Sequence, residues 1–459
     1  MNKELIYNKY CNKRDIHCVK ETVFFRKNRF NFVFVGAGSS VFTLRLVGDI
    51  LSEDFIEGGE IRLVDIDSNV LTEVTEAVSL LVSKTKKKFK VSSFLHYKTA
   101  LPGADFVMFT YAVGGYSAWK RDIAICTHFG VNQSVGDTIG PGAIIRILRS
   151  IPLAVEIAHE MEKVCPEAYI INYTNPEGAQ CLAIQKYSSI RSFGLCHGTP
   201  DTAASLAKDV FGVAPEQLSY RAAGVNHLTW FTDLNIDGKD VYPHLHEKLI
   251  SSGYAKKEPV SFKLFEIFGL YCAPGDRHVE EFFSTFLRDA VINRMDLKWK
   301  NNDFIATDSW RANDADRLDS LKNHGKGYEH FLKGSGETAT HFIRALATGS
   351  VCTEMVNVIN QGFINSVSNG IIVEVPTFVD RFGLHPQHMG SLPQGISAKC
   401  ESLGREYMLL VDAAVECDRK KALQAMFMDP LCAMCDDPEG LLDALIKENL
   451  DLLPSAWEI

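Results

Sequence analysis

The sequence predicts an α/β chain: a doubly wound parallel sheet followed by a mixed α/β lobe. Two observations lead to this. An apolar, β-rich run at residues 30–35 (FNFVFV) stops at Gly36-Ala37-Gly38 and passes directly into a helix pattern. Strand and helix patterns then alternate up to residue 195, as βαβ units require. In the first helix, Ser39 and Ser40 are candidate caps, while Val41, Leu44, Leu46, Val47, Ile50 and Leu51 form an apolar face. A second strand, residues 60–64, ends in Asp65-Ile66-Asp67 and leads to a helix over 71–84. Residues 105–110, 168–173 and 192–195 read as further parallel strands, with helices over 144–164 and 178–187 between the last of them. Beyond Cys196 the pattern loosens. Strands are expected at 218–223, 228–236 and 371–375, a hairpin turn at Asp237-Gly238, and helices at 260–269 and 338–346. The division that follows is an N-terminal extension (1–30), a cofactor-type lobe (31–195) and a lobe that completes the site (196–459). No internal repeat or low-complexity tract is seen.

Bulk properties narrow the function classes. The chain has 459 residues, 46% hydrophobic and 23% charged, the profile of an ordinary globular protein. Its net charge of −9 gives the wrong sign of field for nucleic acid, and the basic clusters at 84–90 and 419–421 read as solvated faces. No apolar run is long enough to span a bilayer, and residues 1–30 lack a signal-peptide core, so a cytoplasmic location is expected. The 12 cysteines should then be reduced thiols. Cys432 and Cys435 form a lone pair better read as buried thiols than as a zinc ribbon. Cys11 and Cys18, in the extension, suggest no function.

Several constellations carry chemistry. Gly36 and Gly38, between strand and helix, let a backbone approach a pyrophosphate, although Val41 replaces the third glycine of the strict fingerprint. Asp65, ending the second strand, can accept hydrogen bonds from ribose hydroxyls and would repel a 2′-phosphate, favouring NAD over NADP. The segments 111–115 and 172–176 follow strand ends, where ligands bind in such sheets. Gly194-Leu195-Cys196-His197-Gly198 sets a thiol beside an imidazole, and Gly224-Val225-Asn226-His227 places an imidazole before a hairpin. A Cys and a His from separate elements can hold a divalent ion with positions left open. Pro274-Gly275-Asp276-Arg277-His278 gathers a carboxylate, a guanidinium and an imidazole. Each piece alone also fits a plain turn, a core thiol or a salt-bridged loop.

Taken together, these segments resemble glycoside hydrolase family 4. The resemblance runs through FVFVGAGSSVFTLRLVGDIL (32–51), LVDID (63–67), QSVGDTIGPGAIIRILRSIP (133–152), NYTNPEG (172–178), GLCHG (194–198), GVNH (224–227), PGDRHVEEF (274–282) and the stretch 357–393. It covers essentially everything after residue 31. It implies a Rossmann-like, lactate/malate-dehydrogenase-like cofactor lobe, NAD and a divalent metal, usually Mn²⁺. It further implies hydrolysis through hydride removal at sugar C3, C2 deprotonation, elimination, water addition and re-reduction, an exception to two-carboxylate glycosidases. Cys196 and His227 are then the metal ligands, Asn175 holds sugar hydroxyls and borders the cofactor, and Gly36, Gly38, Ser39 and Asp65 bind NAD. Manganese rests on the resemblance, since a thiolate and an imidazole alone suggest zinc or iron. Asp276 is the expected base and Asp137 the second candidate, with His197 as an acid for the leaving group. Arg277 and Arg146 are the guanidinium groups assigned to substrate, and the motif set is most like the α-galacturonidase branch. Glu177, where many members carry Met, weighs against a uronate and leaves an α-glucosidase or α-galactosidase open. A homodimer or homotetramer is expected from the family alone.

Two rival readings share the fold. A 2-hydroxy-acid dehydrogenase would not need the Cys196/His227 pair. A non-catalytic NAD-binding scaffold would tolerate loss of Cys196 and Asp276.

Overall fold

The computed structural model describes residues 27–295, 297, 316, 318–321 and 327–457. Most of the N-terminal extension, with Cys11 and Cys18, lies outside the described residues, as do the side chains of Ser40 and Val41.

β1 (Arg29–Val35) is fully sandwiched, which is why it is a near-continuous apolar run rather than an alternating one. It pairs in parallel with β2 (Gly58–Val64) and β4 (Phe106–Phe109). β3 (Lys88–Phe94) adds to β2, and β5 (Tyr169–Asn172) and β6 (Arg191–Gly194) add beyond β4. The order 3-2-1-4-5-6 is that of a Rossmann sheet. The helices that accompany it are α1 (Ser40–Ser52), α2 (Ser68–Ser83), α3 (Gly115–His128), α4 (Gly140–Val164) and α5 (Glu177–Tyr187). On α1, Leu44, Val47, Ile50 and Leu51 are buried with Phe32, Phe34 and Phe106 of the sheet. α2 opens on Asp67, whose side chain accepts from the Asn69 and Val70 N–H groups.

The second half follows α6 (Gly198–Ser205) with the hairpin of β7 (Leu218–Val225) and β8 (Leu228–Ile236). Asp237 and Gly238, both at positive φ (52° and 74°), turn β8 onto the short β9 (Lys239–Asp240). α7 (Pro259–Phe268), β10 (Cys272–Ala273) and the single turn α8 (Asp276–Val279) come next. α9 (Ala339–Thr348), β11 (Cys352–Ile359), β12 (Ile372–Asp380), β13 (Gly383–Pro386) and α10 (Gln394–Glu416) complete the lobe, before α11 (Pro438–Glu448) near the C-terminus. The two halves share one sheet. β11 joins β6 through the pair Asn357–Gly194, and β12 joins β7 through Glu374–Gly224.

Of the elements not expected from the sequence, three bear on the architecture. β3 is built from part of the lysine cluster; its side chains alternate between exposed and half-buried on an edge strand, where lysines discourage further pairing. The strand at 105–110 is therefore the fourth of the sheet, not the third. β11 and the long α10 also went unrecognised, although α10 packs Tyr407, Leu410 and Val411 against Ile144, Ile147 and Ala179. Among the described residues the ten cysteines are free thiols, and no helix is long and apolar enough to cross a membrane.

Candidate active site

The β1–α1 turn is shaped by its glycines. The Gly36 and Ala37 N–H groups both donate to the Val64 carbonyl, at 3.0 and 2.9 Å. Gly36 sits at φ +87°, and a Cβ there would overlap the backbone of Tyr111. The Gly38 N–H donates to Asp65 Oδ2 (2.7 Å), and the Asp67 N–H to Asp65 Oδ1 (3.1 Å). Ser39 holds the N-cap position of α1, but its side chain makes no capping bond. The carboxylate ending β2 thus lies against the bare turn at the head of α1, the arrangement that receives a dinucleotide.

Across the carboxyl ends of the parallel strands, three segments from both halves converge. Asp137 comes from the loop before α4. His227 lies within the two-residue turn between β7 and β8, at φ +62°, a conformation costly for a non-glycine residue. His278 comes from α8. Ligand atoms of these three lie within 4.8 Å of one another, and the two imidazole centroids are 4.2 Å apart. Asn175 Nδ2 donates to Asp137 Oδ2 (2.9 Å), and Arg146 Nη1 lies 3.9 Å from the same oxygen. Burial opposes ionisation of Asp137, but the imidazoles, Arg146 and the Thr138 hydroxyl outweigh it and hold the carboxyl at about 2. Burial pushes His227 down to about 4 and His278 well below its usual range, so both rings are neutral at pH 7.

Thr138 sets the tautomer of His227. Its Oγ1 is 2.8 Å from Asp137 Oδ1 and 2.7 Å from His227 Nδ1. An ionised carboxylate only accepts, so the single hydroxyl proton goes to Asp137 and Nδ1–H must donate to Thr138. Nε2 of His227 is left as a bare donor of electrons, the state a metal requires.

The remaining expected residues lie around this centre. The Cys196 thiol, past the end of β6, accepts the Gly198 N–H at 3.4 Å and is not one of the three clustered groups. Burial, with Glu374 and Glu177 nearby, pushes it well up. His197 is half-exposed with Nδ1 3.5 Å from Glu337, whose hydrogen bond raises the imidazole despite burial. Asp276 is buried and accepts the Val260 and Ser261 N–H groups (2.8 and 2.7 Å), capping α7. Burial and then Glu258 raise it to about 7. Arg277 lies on α8 with its guanidinium 3.4 Å from His278 Nε2. Glu177 is engaged within the fold. It is 2% exposed, and its carboxyl accepts from Asn226 and Asn357, each at 2.8 Å.

Residues 31–211 match the family 4 glycosyl hydrolase profile, and residues 222–432 match the C-terminal domain of that family. The chain belongs to family 4 of the glycosyl hydrolases. It is 32% identical over 425 residues to an α-galacturonidase of Thermoanaerobacter italicus, covering 86% of this chain and 91% of the relative. It is 29% identical over 423 residues to an α-galactosidase of Bacillus subtilis, covering 88% and 96%. Among solved structures it resembles a 6-phospho-α-glucosidase from gut microorganisms in complex with NAD and Mn²⁺, with 21% identity, TM-score 0.78 and coverage of 93% and 99%.

Two features of this family 4 glycosidase were missed in the sequence. His278 was quoted within its motif but given no role. Asp276 and His278 stand two apart on one helical turn and so cannot face the same way: Asp276 turns back to α7 while His278 turns to Asp137. That spacing was available as a signal. Glu281 was missed for a different reason. Its Oε1 accepts the N–H groups of Ser134, Val135 and Gly136 (2.8, 2.9 and 2.9 Å), fixing the loop that carries Asp137 from 145 or more residues away.

Proposed function

We propose that this family 4 glycosidase hydrolyses α-glycosidic bonds of non-phosphorylated sugars, α-galacturonides first among them, by a redox-elimination route. The observation that carries the reading is the convergence of Asp137, His227, His278, Asn175 and Arg146 across the strand ends from the glycine turn. The neighbour bound to NAD and Mn²⁺ supports the same pairing of cofactor and metal. The residues fit both groups. Gly36, Gly38, Ser39 and Asp65 form the bare turn that would receive NAD, with no room for a Cβ at Gly36 against Tyr111 or at Gly38 against Asp65, and His227 offers a bare nitrogen beside an ionised carboxylate. His278 Nδ1 is buried without a hydrogen-bond partner among the described residues, an orphan that a ligand would satisfy.

When bound, NAD would supply a reversible hydride acceptor for the sugar, and the cation, held by residues of this cluster, would supply positive charge that stabilises a developing oxyanion. The chain does the rest. Asn175 holds a sugar hydroxyl against the Asp137 side of the site. Arg277 and Arg146 present guanidinium groups of the shape that clamps a uronate carboxylate. Asp276, raised to about 7, is poised to take the C2 proton near neutral pH. Each of its oxygens keeps a second lone pair beyond the backbone N–H it accepts. His197, raised by Glu337, gives a proton to the departing oxygen. The relatives named as α-galacturonidase and α-galactosidase support an α-linked galacto-configured substrate, and the Glu177 carboxyl is occupied by Asn226 and Asn357.

Hydrolysis of α-linked digalacturonate and of p-nitrophenyl α-glycosides, with NAD and Mn²⁺ omitted in turn, tests this. The expected result is product release that needs both, with no net NADH. Release indifferent to NAD, or NADH accumulating with a 2-hydroxy acid, would overturn it.

A further inference from the structure

We propose that the segment following α11, residues 449–453, braces the cofactor turn through the loop between β4 and α3, and that Asn449 is its positioning residue. The inference rests on the glycine turn as the NAD cradle. It goes beyond that reading in naming what holds the cradle's far wall.

The loop after β4 needs holding. Its first residue, Tyr111, lies against the Gly36 turn, so the loop forms one wall of the cradle. Gly114 and Gly115 follow at φ +78° and +59°, and glycine has more conformational freedom to lose than any other residue. Two contacts restrain successive residues of this loop. Arg149 of α4 donates through Nε to the Val113 carbonyl at 2.9 Å. Leu452 lies so close to Gly114 that a Cβ there would stand 2.4 Å from Leu452 Cδ1.

Asn449 governs both contacts. Arg149 Nη1 pairs with Asp122 Oδ2 of α3 at 2.5 Å, with each side chain 1% exposed. An ion pair removed from water holds well only when its remaining donors and lone pairs are met. Asn449, 0% exposed, meets one on each side. Its Nδ2 donates to Asp122 Oδ1 (2.9 Å), and its Oδ1 accepts from Arg149 Nη1 (3.2 Å). Arg121 Nη2 donates to the same oxygen at 2.9 Å, and Nδ2 also donates to the Leu445 carbonyl at 2.9 Å. Only an amide carries both a donor and an acceptor at this reach; an aspartate would repel Asp122, and a leucine would leave both ions short of a partner. The Asn449 carbonyl in turn accepts the Leu452 and Leu453 N–H groups (2.9 and 3.0 Å), which sets Leu452 on Gly114. One residue thus joins α3, α4 and the end of the chain at the loop's back. Asn449 and Leu452 both lie past residue 432, where the match to the family's C-terminal domain ends.

Amide hydrogen exchange in the cofactor-free protein, beside a fluorescence titration with NAD, tests the brace. Asn449→Ala and Leu452→Ala should both speed exchange at 113–116 while β4 and β5 keep the protection of the parent. NAD binding should weaken about threefold or more in each, and Leu452→Met, which keeps an apolar contact on Gly114, should restore it. Exchange and NAD affinity equal to the parent's in Leu452→Ala overturn the proposal. So does protection lost evenly across the sheet in both variants, since that is general destabilisation. Leu452→Ala decides alone if Asn449→Ala does not fold. A parent that takes up no NAD strikes the cofactor reading, whereas exchange that still quickens only at 113–116 in the variants upholds the brace.

Discussion

At the scale of single residues, the roles proposed for His197 and Asp276 have opposite pH signatures. Glu337 raises His197 through its hydrogen bond, against the pull of burial. An acid that protonates the leaving group must carry its proton, so this imidazole sets the basic limb of the pH–rate profile. Glu337→Gln removes the charge, lowers the imidazole and should move that limb to lower pH with the acidic limb unmoved. A profile unchanged in Glu337→Gln removes His197 from the reaction. Asp276 must instead be ionised to act as base, and its value of about 7 places the acidic limb near neutrality. Asp276→Asn should cut kcat by about 10²- to 10⁴-fold, the usual worth of a positioned base. It should also lower Tm, since an amide nitrogen turned to Val260 or Ser261 loses one cap, at about 1–3 kcal/mol. A loss of Tm with kcat intact in the folded fraction would make Asp276 a helix cap only. Most of these residues were legible beforehand, because motif residues such as Asn175, Cys196 and His227 sit beside glycines and prolines that interrupt the pattern. Thr138 and Glu281 were not, since a hydroxyl beside an aspartate and one acid of a Glu-Glu pair carry no signal until the fold sets them against their targets.

At the scale of elements, glycines decide which segments can meet. Gly36 at φ +87° lets the β1–α1 turn press on the backbone of Tyr111 after β4, so a methyl group there has nowhere to go. Gly36→Ala should therefore displace the turn and weaken NAD binding by an order of magnitude or more in a fluorescence titration. NAD affinity equal to that of the parent would show that the turn is not the cofactor cradle. Gly194 plays the same part at the junction of the halves. A Cβ there would overlap the Glu177 carboxyl, which reaches Asn357 on β11 and Asn226 after β7. The parallel half was readable from sequence because both of its faces are buried, so each central strand is a block of Phe, Val, Ile and Met. β3 was hidden by its lysines, since an edge strand half in water has neither a continuous nor a cleanly alternating pattern. β11 (CTEMVNVI) and α10 were hidden for a related reason: their buried polar residues, Asn357 and Glu406, break the periodicity that marks an apolar face.

At the scale of the whole molecule, the core holds an unusual number of buried acids, and their titration fixes how stability depends on pH. Burial raises Glu374 to about 6, Asp276 to about 7 and Glu281 to about 8. Each binds its proton more tightly folded than unfolded. Each therefore contributes stability that is present below the unfolded value near 4 and is lost as pH rises through the folded value. The imidazoles act in the other direction. His227 at about 4 and His278, lowered well below its usual range by burial, contribute stability that is present above the unfolded value near 6.5 and is lost as pH falls below it. Below 6.5 the two sets oppose each other. Between 6.5 and 8 the imidazoles have nothing further to give, while Asp276 and Glu281 are still losing protons. The metal-free protein should therefore show a Tm that falls up to about pH 6.5, partly offset by the imidazoles, and that falls without that offset from there to pH 8. Glu281→Gln tests the assignment. The amide keeps a carbonyl oxygen for the Ser134, Val135 and Gly136 N–H groups but cannot ionise, so the fall above pH 7 should shrink. A slope the same in the variant as in the parent would mean that Glu281 is already ionised in the folded state, its three N–H donors outweighing its burial.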